Sequence, residues 1–456
     1  MGIVIALMIG IIISTIDYVR PNNEHIANFM NEKADIDVCF YGSSHAYNNI
    51  EPNALWEEYG IASYALANPE QPMSVTYHTM ANSFKVNKPK VAMVELYMVR
   101  YALEKEYDQN RKRNQYTNGV APFPLTIEKY EAAEELLLPE EKWGGFFYFP
   151  MYHGNYETLT KNSVEKEQWE QRGFTLVFSD LKGKEVDTEI QTYSTYLKGP
   201  EGELAEETQQ SLGRIIDLCE ENQVELVFFV APYMVSEGEA IGYANIKKWL
   251  EEKNVSFLDM NNHIDEIGIV WESDMCDIGH ANYWGAAKNS EWLGQFLKDN
   301  YEIPDRRADS KYGNWNKCNQ VLDALLLKNI LEKEASLEEV AKILNQHKEN
   351  LIISVIAGKY AGQKEIAILE NNGFCIGKND AIYIENGALD SKYETMEKTI
   401  RVDNDVYFGK DSEEKVFCQI KNEYLASDAI GIIVYSDDLG EVIYLKEYRS
   451  DEILSE

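Results

Sequence analysis

Cysteine is scarce in this chain: six in 456 residues (Cys39, Cys219, Cys276, Cys318, Cys375, Cys418). None form a Cys-x-x-Cys pair, and no His/Cys cluster has zinc-ligand spacing, so neither a disulfide scaffold nor a structural metal is expected. Cys39, in an apolar run, and Cys219, on a helical pattern, read as buried thiols. Cys375 and Cys418 lie in the same late segment, but no spacing argument joins them in a disulfide. Positive charge is also short, with 43 basic against 77 acidic side chains and a formal net charge of −34. Such a chain repels phosphate backbones, which argues against nucleic-acid binding. No solenoid period and no low-complexity tract is present.

A hydrophobic run long enough to span a bilayer is missing too. Met1–Ile16 carries no charge but falls short of the ~20 residues that cross hydrocarbon. No basic residue precedes it and no small-x-small cleavage site follows before Asp17. A signal-peptide core, a buried helix and a shortened membrane helix all fit. The lack of polar residues at helical spacing before Ser14 favours an amino-terminal membrane anchor (residues 1–20) whose first residues are missing, with the acidic remainder extracytoplasmic.

What is present is a globular composition, 45% apolar and 26% charged. From residue 36, strand-like and helix-like segments alternate. Ile36–Tyr41, Val91–Met98, Val224–Ala231 and Val255–Met260 are buried-strand runs; Pro52–Tyr59, Ser74–Lys85, Glu206–Glu221, Ala244–Lys253 and Trp284–Asn300 are helical. Strands separated by helices imply a doubly wound parallel α/β sheet. Residues 100–200, rich in aromatics and charges, interrupt the alternation and are expected as an insertion over the active-site end of the sheet. Arg306–Trp315 reads as a polar linker. The organisation expected is a domain over 21–308, a helical linker over 309–348 (Asn319–Lys333 and Leu337–His347 helical) and a smaller α+β or β-rich module over 349–456. In that module Leu351–Ile356, Glu365–Leu369, Ala381–Glu385, Asp405–Phe408, Val416–Ile420, Ile430–Tyr435 and Glu441–Leu445 read as short strands.

Two motifs carry chemistry. The first strand runs into Gly42-Ser43-Ser44-His45, which puts a hydroxyl at the carboxyl end of a parallel strand, where α/β folds place reactive groups; on its own it is a common turn. The fourth strand leads to Asp277-Ile278-Gly279-His280-Ala281-Asn282, where an Asp three residues before a His lets one loop supply both base and orienter. Ser44, Asp277 and His280 thus become candidates for nucleophile, orienter and base, against the plain readings of turn residue, helix-end charge and satisfied core histidine. Ser43 reads as hydrogen-bonding support. His45 reads as cleft wall or turn cap, and His153 with Tyr152 as insertion residues that reach the site or pack as an aromatic corner. Asn282 reads as cleft support or a helix cap.

The order Ser, then Asp and His on the last loop, resembles the SGNH (GDSL-like) hydrolase and acyltransferase superfamily over roughly residues 36–305, a flavodoxin-like fold. Gly42-Ser43-Ser44 matches its first block, with Ser43 in place of the usual Asp, and Asp277 and His280 match its last. Gln71-Pro72, Tyr152-His153, Asp274 through Gly285 and Pro304-Asp305-Arg306-Arg307 are similar to a membrane-anchored Gram-positive branch related to the D-alanyl-transfer protein of the lipoteichoic acid pathway and to the alginate O-acetylation proteins. The resemblance implies a Ser-His-Asp esterase or O-acyltransferase needing no cofactor. It would act on a surface glycan or teichoic-type polymer, with a membrane-bound O-acyltransferase as partner. The sequence departs from the superfamily where the latter's oxyanion residues stand: Glu70-Gln71 lies near the expected Gly, and Val94-Glu95-Leu96-Tyr97 replaces the Gly-x-Asn-Asp block. An ionised Glu95 cannot donate to an oxyanion, so the expected donors are the Ser44 amide with Asn68 or Gln71. That departure keeps open a non-catalytic glycan-binding or scaffold protein on a degenerate fold. The hairpin Ala429–Tyr435 with Gly440–Ile443 resembles the end of the interleukin-like EMT-inducer module, implying a glycan-binding role for the last domain.

Overall fold

The computed structural model describes residues 24–101, 109–147, 172–181, 201–334, 336–349, 351–394, 399–403 and 406–449. The expected anchor at 1–20 lies outside the described residues; among the described residues no helix is long and apolar enough to cross a membrane. The chain divides into two compact units, Met1–Trp315 and Asn316–Glu456.

The first unit is built on β1 (Val38–Gly42), β2 (Ser63–Ala67), β3 (Val91–Glu95), β4 (Glu225–Val230) and β5 (Ser256–Asp259), all parallel in the order β2-β1-β3-β4-β5. This is the flavodoxin-like doubly wound order, whose switch point lies between β1 and β3. Strand alternation sends successive side chains to opposite faces. Cys39, Tyr41, Ala92, Val94, Phe228 and Val230 meet the helices Met73–Ser83, Glu206–Asn222 and Glu237–Glu251 on one face. Val38, Phe40, Met93, Val227 and Phe229 meet Pro52–Tyr59, Ile264–Ile267 and Tyr283–Asn300 on the other. With both faces covered, the strands read as continuous apolar runs, which is why four of the five are recognisable from sequence.

The strand missed is β2. Its Ser-Tyr-Ala-Leu-Ala composition is weakly β-forming, and only the bracketing Gly60 and Pro69 mark it. It is an edge strand, and residues 172–174 cover its edge: the Ala65 amide donates to the Arg172 carbonyl at 2.9 Å. Gly173, at φ +80°, makes the approach feasible, because a Cβ there would lie 1.9 Å from the Ala65 carbonyl oxygen.

Arg306–Trp315 packs into this unit instead of standing off as a linker. Arg306 clasps the buried Asp37 through two bonds of 2.8 and 2.9 Å, and Tyr312 and Trp315 are buried against Trp56. Within the insertion, the helices Gln109–Gly119, Ile127–Leu136 and Lys142–Phe147 pack Tyr116, Val120, Ala132 and Leu136 against Val75.

The second unit holds a five-stranded antiparallel sheet ordered β14-β13-β6-β7-β8 and a four-stranded one ordered β12-β11-β10-β9. Here β6 is Leu351–Ala357, β7 Ala381–Glu385, β8 Ala388–Tyr393, β9 Ile400–Asp403, β10 Val406–Lys410, β11 Val416–Ile420, β12 Glu423–Ser427, β13 Ile430–Ser436 and β14 Glu441–Tyr448. One face of the larger sheet packs on Phe408, Cys418 and Ile420 of the smaller. The other packs on Leu327, Leu331, Val340, Leu344 and Leu369, so the helices Gly313–Lys333 and Leu337–Gln346, expected as a connecting linker, supply part of this core. Glu365–Leu369, read as a strand, is instead part of the helix Gln363–Asn371. Ile366 and Leu369 reach the core at i, i+3, and the surrounding Gln, Lys, Glu and Ala are strong helix formers. Cys418 is buried, Cys375 is exposed, and neither is bridged.

Candidate active site

β1 ends in a glycine for a geometric reason. Gly42 has φ +142°, and a Cβ on it would lie 2.7 Å from the Glu95 Cβ of neighbouring β3. The chain then turns at once into the one-turn helix Ser44–Tyr47, with Ser43 as its N-cap. Ser44 opens that helix, partly exposed, at the carboxyl end of the sheet beside the switch point.

The partner loop runs from Met275 to Ala281, which are joined by an antiparallel bridge. Within it, Asp277 accepts from the Gly279 amide at 2.7 Å and the His280 amide at 2.9 Å. Its carboxylate also faces His280 Nδ1 at 2.9 and 3.0 Å, and His280 Nε2 lies 2.8 Å from Ser44 Oγ. Burial works to raise the Asp277 carboxyl, but the His280 ring and the loop amides hold it down at about 2. An ionised carboxylate only accepts, so in the neutral ring the proton sits on Nδ1 and Nε2 presents a lone pair to the serine hydroxyl. Three side chains spread over more than 230 positions therefore form one hydrogen-bonded chain, able in chemical terms to draw a proton off Ser44.

Behind the serine lies a second carboxylate. Glu95, 1% exposed at the end of β3, accepts from the Ser43 hydroxyl at 2.7 Å, from the Ser43 amide at 3.2 Å and from the Tyr97 amide. Burial raises its carboxyl to about 7, against those hydrogen bonds and the nearby His280. Ser43 Oγ in turn accepts from the His45 amide at 3.3 Å. The Ser43 hydroxyl is thus bonded on both sides within the turn.

His45 forms a wall. Its ring stacks on Tyr97 at 3.7 Å between centroids and meets Tyr233 and His280 edge-on, each at 5.0 Å. Asn68 follows β2; its amide donates to the Gly42 carbonyl at 3.3 Å, which sets it beside the Ser43 turn. Asn68 Nδ2 donates to Gln71 Oε1 at 2.8 Å, and Gln71 Nε2 donates to Thr76 Oγ1 at 3.1 Å. Gln71 therefore stands behind Asn68 as its orienter. Asn282 caps the helix Tyr283–Asn300, accepting from Gly285 at 3.1 Å and donating to the Ser273 carbonyl at 2.6 Å; it bonds to neither Ser44 nor His280. His153 and Tyr152 lie outside the described residues.

Asn49 was not singled out from the sequence. Fully buried, it accepts from the Ala281 amide at 2.9 Å and donates to the Pro232 and Gly279 carbonyls at 3.1 and 3.2 Å. It pins the His280 loop to the serine turn. A lone Asn near a helix end gives no sign of this, because its partners lie 183 to 232 positions away. Glu95 did carry a signal: it is a carboxylate closing an otherwise apolar, doubly covered strand.

No family model matches the sequence, and no curated protein sequence matches it. Among solved structures, the chain is similar to a candidate lipolytic protein of the G-D-S-L family from Desulfitobacterium hafniense DCB-2. The match has 11% identity and a TM-score of 0.30, and covers 58% of this chain and 100% of the other.

Proposed function

We propose that this chain is a serine-dependent esterase or O-acyltransferase of the SGNH type. The observation that supports the reading above all others is the 2.8 Å contact between Ser44 Oγ and His280 Nε2, on a ring held at its other nitrogen by Asp277. Ser44 Oγ bonds to the acyl carbonyl carbon as its proton passes to Nε2. The tetrahedral adduct collapses, the ester C–O bond breaks, and the leaving oxygen takes the proton back from Nε2. Water or an acceptor hydroxyl then attacks the acyl-serine by the same steps. The proposed oxyanion donors are the Ser44 amide, which has no intrahelical acceptor at the first turn, and the second N–H of Asn68 Nδ2. In the same proposal the substrate is an O-acyl group of a surface polysaccharide or teichoic-type polymer. The amino-terminal segment anchors the chain with its bulk extracytoplasmic, and a membrane-bound O-acyltransferase supplies the acyl group.

A fluorophosphonate probe tests the central claim. Ser44 in the full chain should be the residue modified, as located by mass spectrometry, and Ser44→Ala should abolish labelling. Labelling at another serine would overturn the assignment of Ser44 as nucleophile, and no labelling beside measurable glycan binding would leave a binding protein in place of an enzyme.

A further inference from the structure

The mechanism above uses Asp277 and leaves the second carboxylate idle. We infer that Glu95 is a positioning residue that sets the serine turn, and that its charge supports the imidazolium formed at His280; this rests on the reading of Ser44 as nucleophile. Four observations point to it. Glu95 binds both the amide and the hydroxyl of Ser43, the residue preceding the nucleophile. Its Cβ fills the space that obliges residue 42 to be glycine. The Tyr97 amide fixes its other oxygen, and Tyr97 carries the His45 ring that walls His280. Backbone and wall on both sides of the Ser44–His280 contact thus converge on one buried carboxylate.

Burial of an acid is costly and is tolerated where its bonds are satisfied. Glu95 accepts three protein donors, and charge-assisted bonds are about twice as strong as neutral ones. When Glu95 is protonated, one of those bonds must reverse or lengthen and the Ser43 turn loosens. The titratable groups on the elements packed around it are His45 on the serine turn, Tyr97 after β3, Tyr233 after β4, and Asp277 and His280 on the partner loop. Of these, His280 interacts with it electrostatically, in the sense that favours the carboxylate. Burial places the carboxyl at about 7, so it ionises near neutral pH.

The test is the second-order rate of fluorophosphonate labelling at Ser44 from pH 5 to 9, in the full chain and in Glu95→Gln. In the wild type the logarithm of the rate should climb through two ionisations, with a limiting slope near two on the acid side. In Glu95→Gln it should be roughly 10-fold slower at pH 8 and climb with a slope of one. Glu95→Asp should be slow yet keep the second ionisation. Equal rates and slopes in wild type and Glu95→Gln would overturn the inference. A slower variant with the wild-type slope would reduce Glu95 to packing and overturn it as well. If Glu95→Gln does not fold, Ser43→Ala carries the test: it should label several-fold more slowly, and an unchanged rate would overturn the proposal. A wild-type chain never labelled at Ser44 would overturn the esterase reading and this inference with it; the other outcomes leave that reading standing.

Discussion

Two carboxylates flank one serine turn, and the fold drives them apart. Asp277 sits on a loop with about half its side chain exposed and is held at about 2 by the ring and the amides around it. Glu95 sits at the carboxyl end of the central strand β3, buried, and is raised to about 7. The same chemical group is fixed as an anion on the open side and made titratable on the closed side. Exposure decides the difference, since both accept several hydrogen bonds. Environments that push paired acids apart are how one site assigns them separate tasks. Asp277 is suited to standing charge behind a base, and Glu95 to holding the backbone.

The sharpest way to break that comparison is Asp277→Asn. The substitution preserves shape and leaves an oxygen for the Gly279 and His280 amides, but it removes the charge that fixes the Nδ1 proton. Labelling at Ser44 should fall about 10²–10³-fold, less than for a fully buried orienter because solvent already screens Asp277. Thermal unfolding should move little. A rate within threefold of wild type would make the open carboxylate a loop brace and nothing more.

A second test sharpens the contrast through stability. The folded chain binds the Glu95 proton more tightly than the unfolded chain, since about 7 exceeds the ordinary 4.5. Its contribution is therefore fully present below pH 4.5 and is lost as pH rises through about 7. One such shift amounts to roughly 3 kcal/mol. Glu51, the buried cap of the helix Pro52–Tyr59, is raised to about 7 in the same sense by burial. Asp277, shifted the other way, contributes above its unfolded pKa and loses that contribution only as pH falls through about 2. Denaturant unfolding at pH 5 and pH 8 should show stability dropping with pH. In Glu95→Gln the drop should be smaller by about 3 kcal/mol. An equal drop in both proteins would remove Glu95 from the account.

How far this was readable from the residues follows from range. The parallel sheet was legible because doubly covered strands are apolar on both faces, and the Ser44 and Asp277-x-x-His280 motifs because each is local. Strand β2 was not, since alanine-rich runs read equally as helix; nor was the helix around Glu365, where five residues mimic strand alternation. The role of Glu95 and the clamp made by Asn49 are contacts between distant segments. The sequence marks Glu95 only as an acid out of place and does not mark Asn49 at all. Gln71 was readable as an amide near the site, but not that its own amide group is spent on Thr76.

Asn49 offers the finest test, because it is how the exposed side of the site is held from within. Three of its bonds fasten the His280 loop and the segment after β4 to the serine turn. Asn49→Ala leaves the Ala281 amide and two carbonyls to find other partners in a buried place, at a cost of about 2 kcal/mol. If the open carboxylate's loop is preorganised by this clamp, labelling at Ser44 should slow about 10-fold at a temperature where the variant remains folded. Its pH profile should keep both ionisations, because Glu95 and its bonds are untouched. A destabilised variant that labels at the wild-type rate would mean that the His280 loop holds its own shape through Asp277 and the Met275–Ala281 bridge alone. The exposed side would then prove as self-sufficient as the buried one.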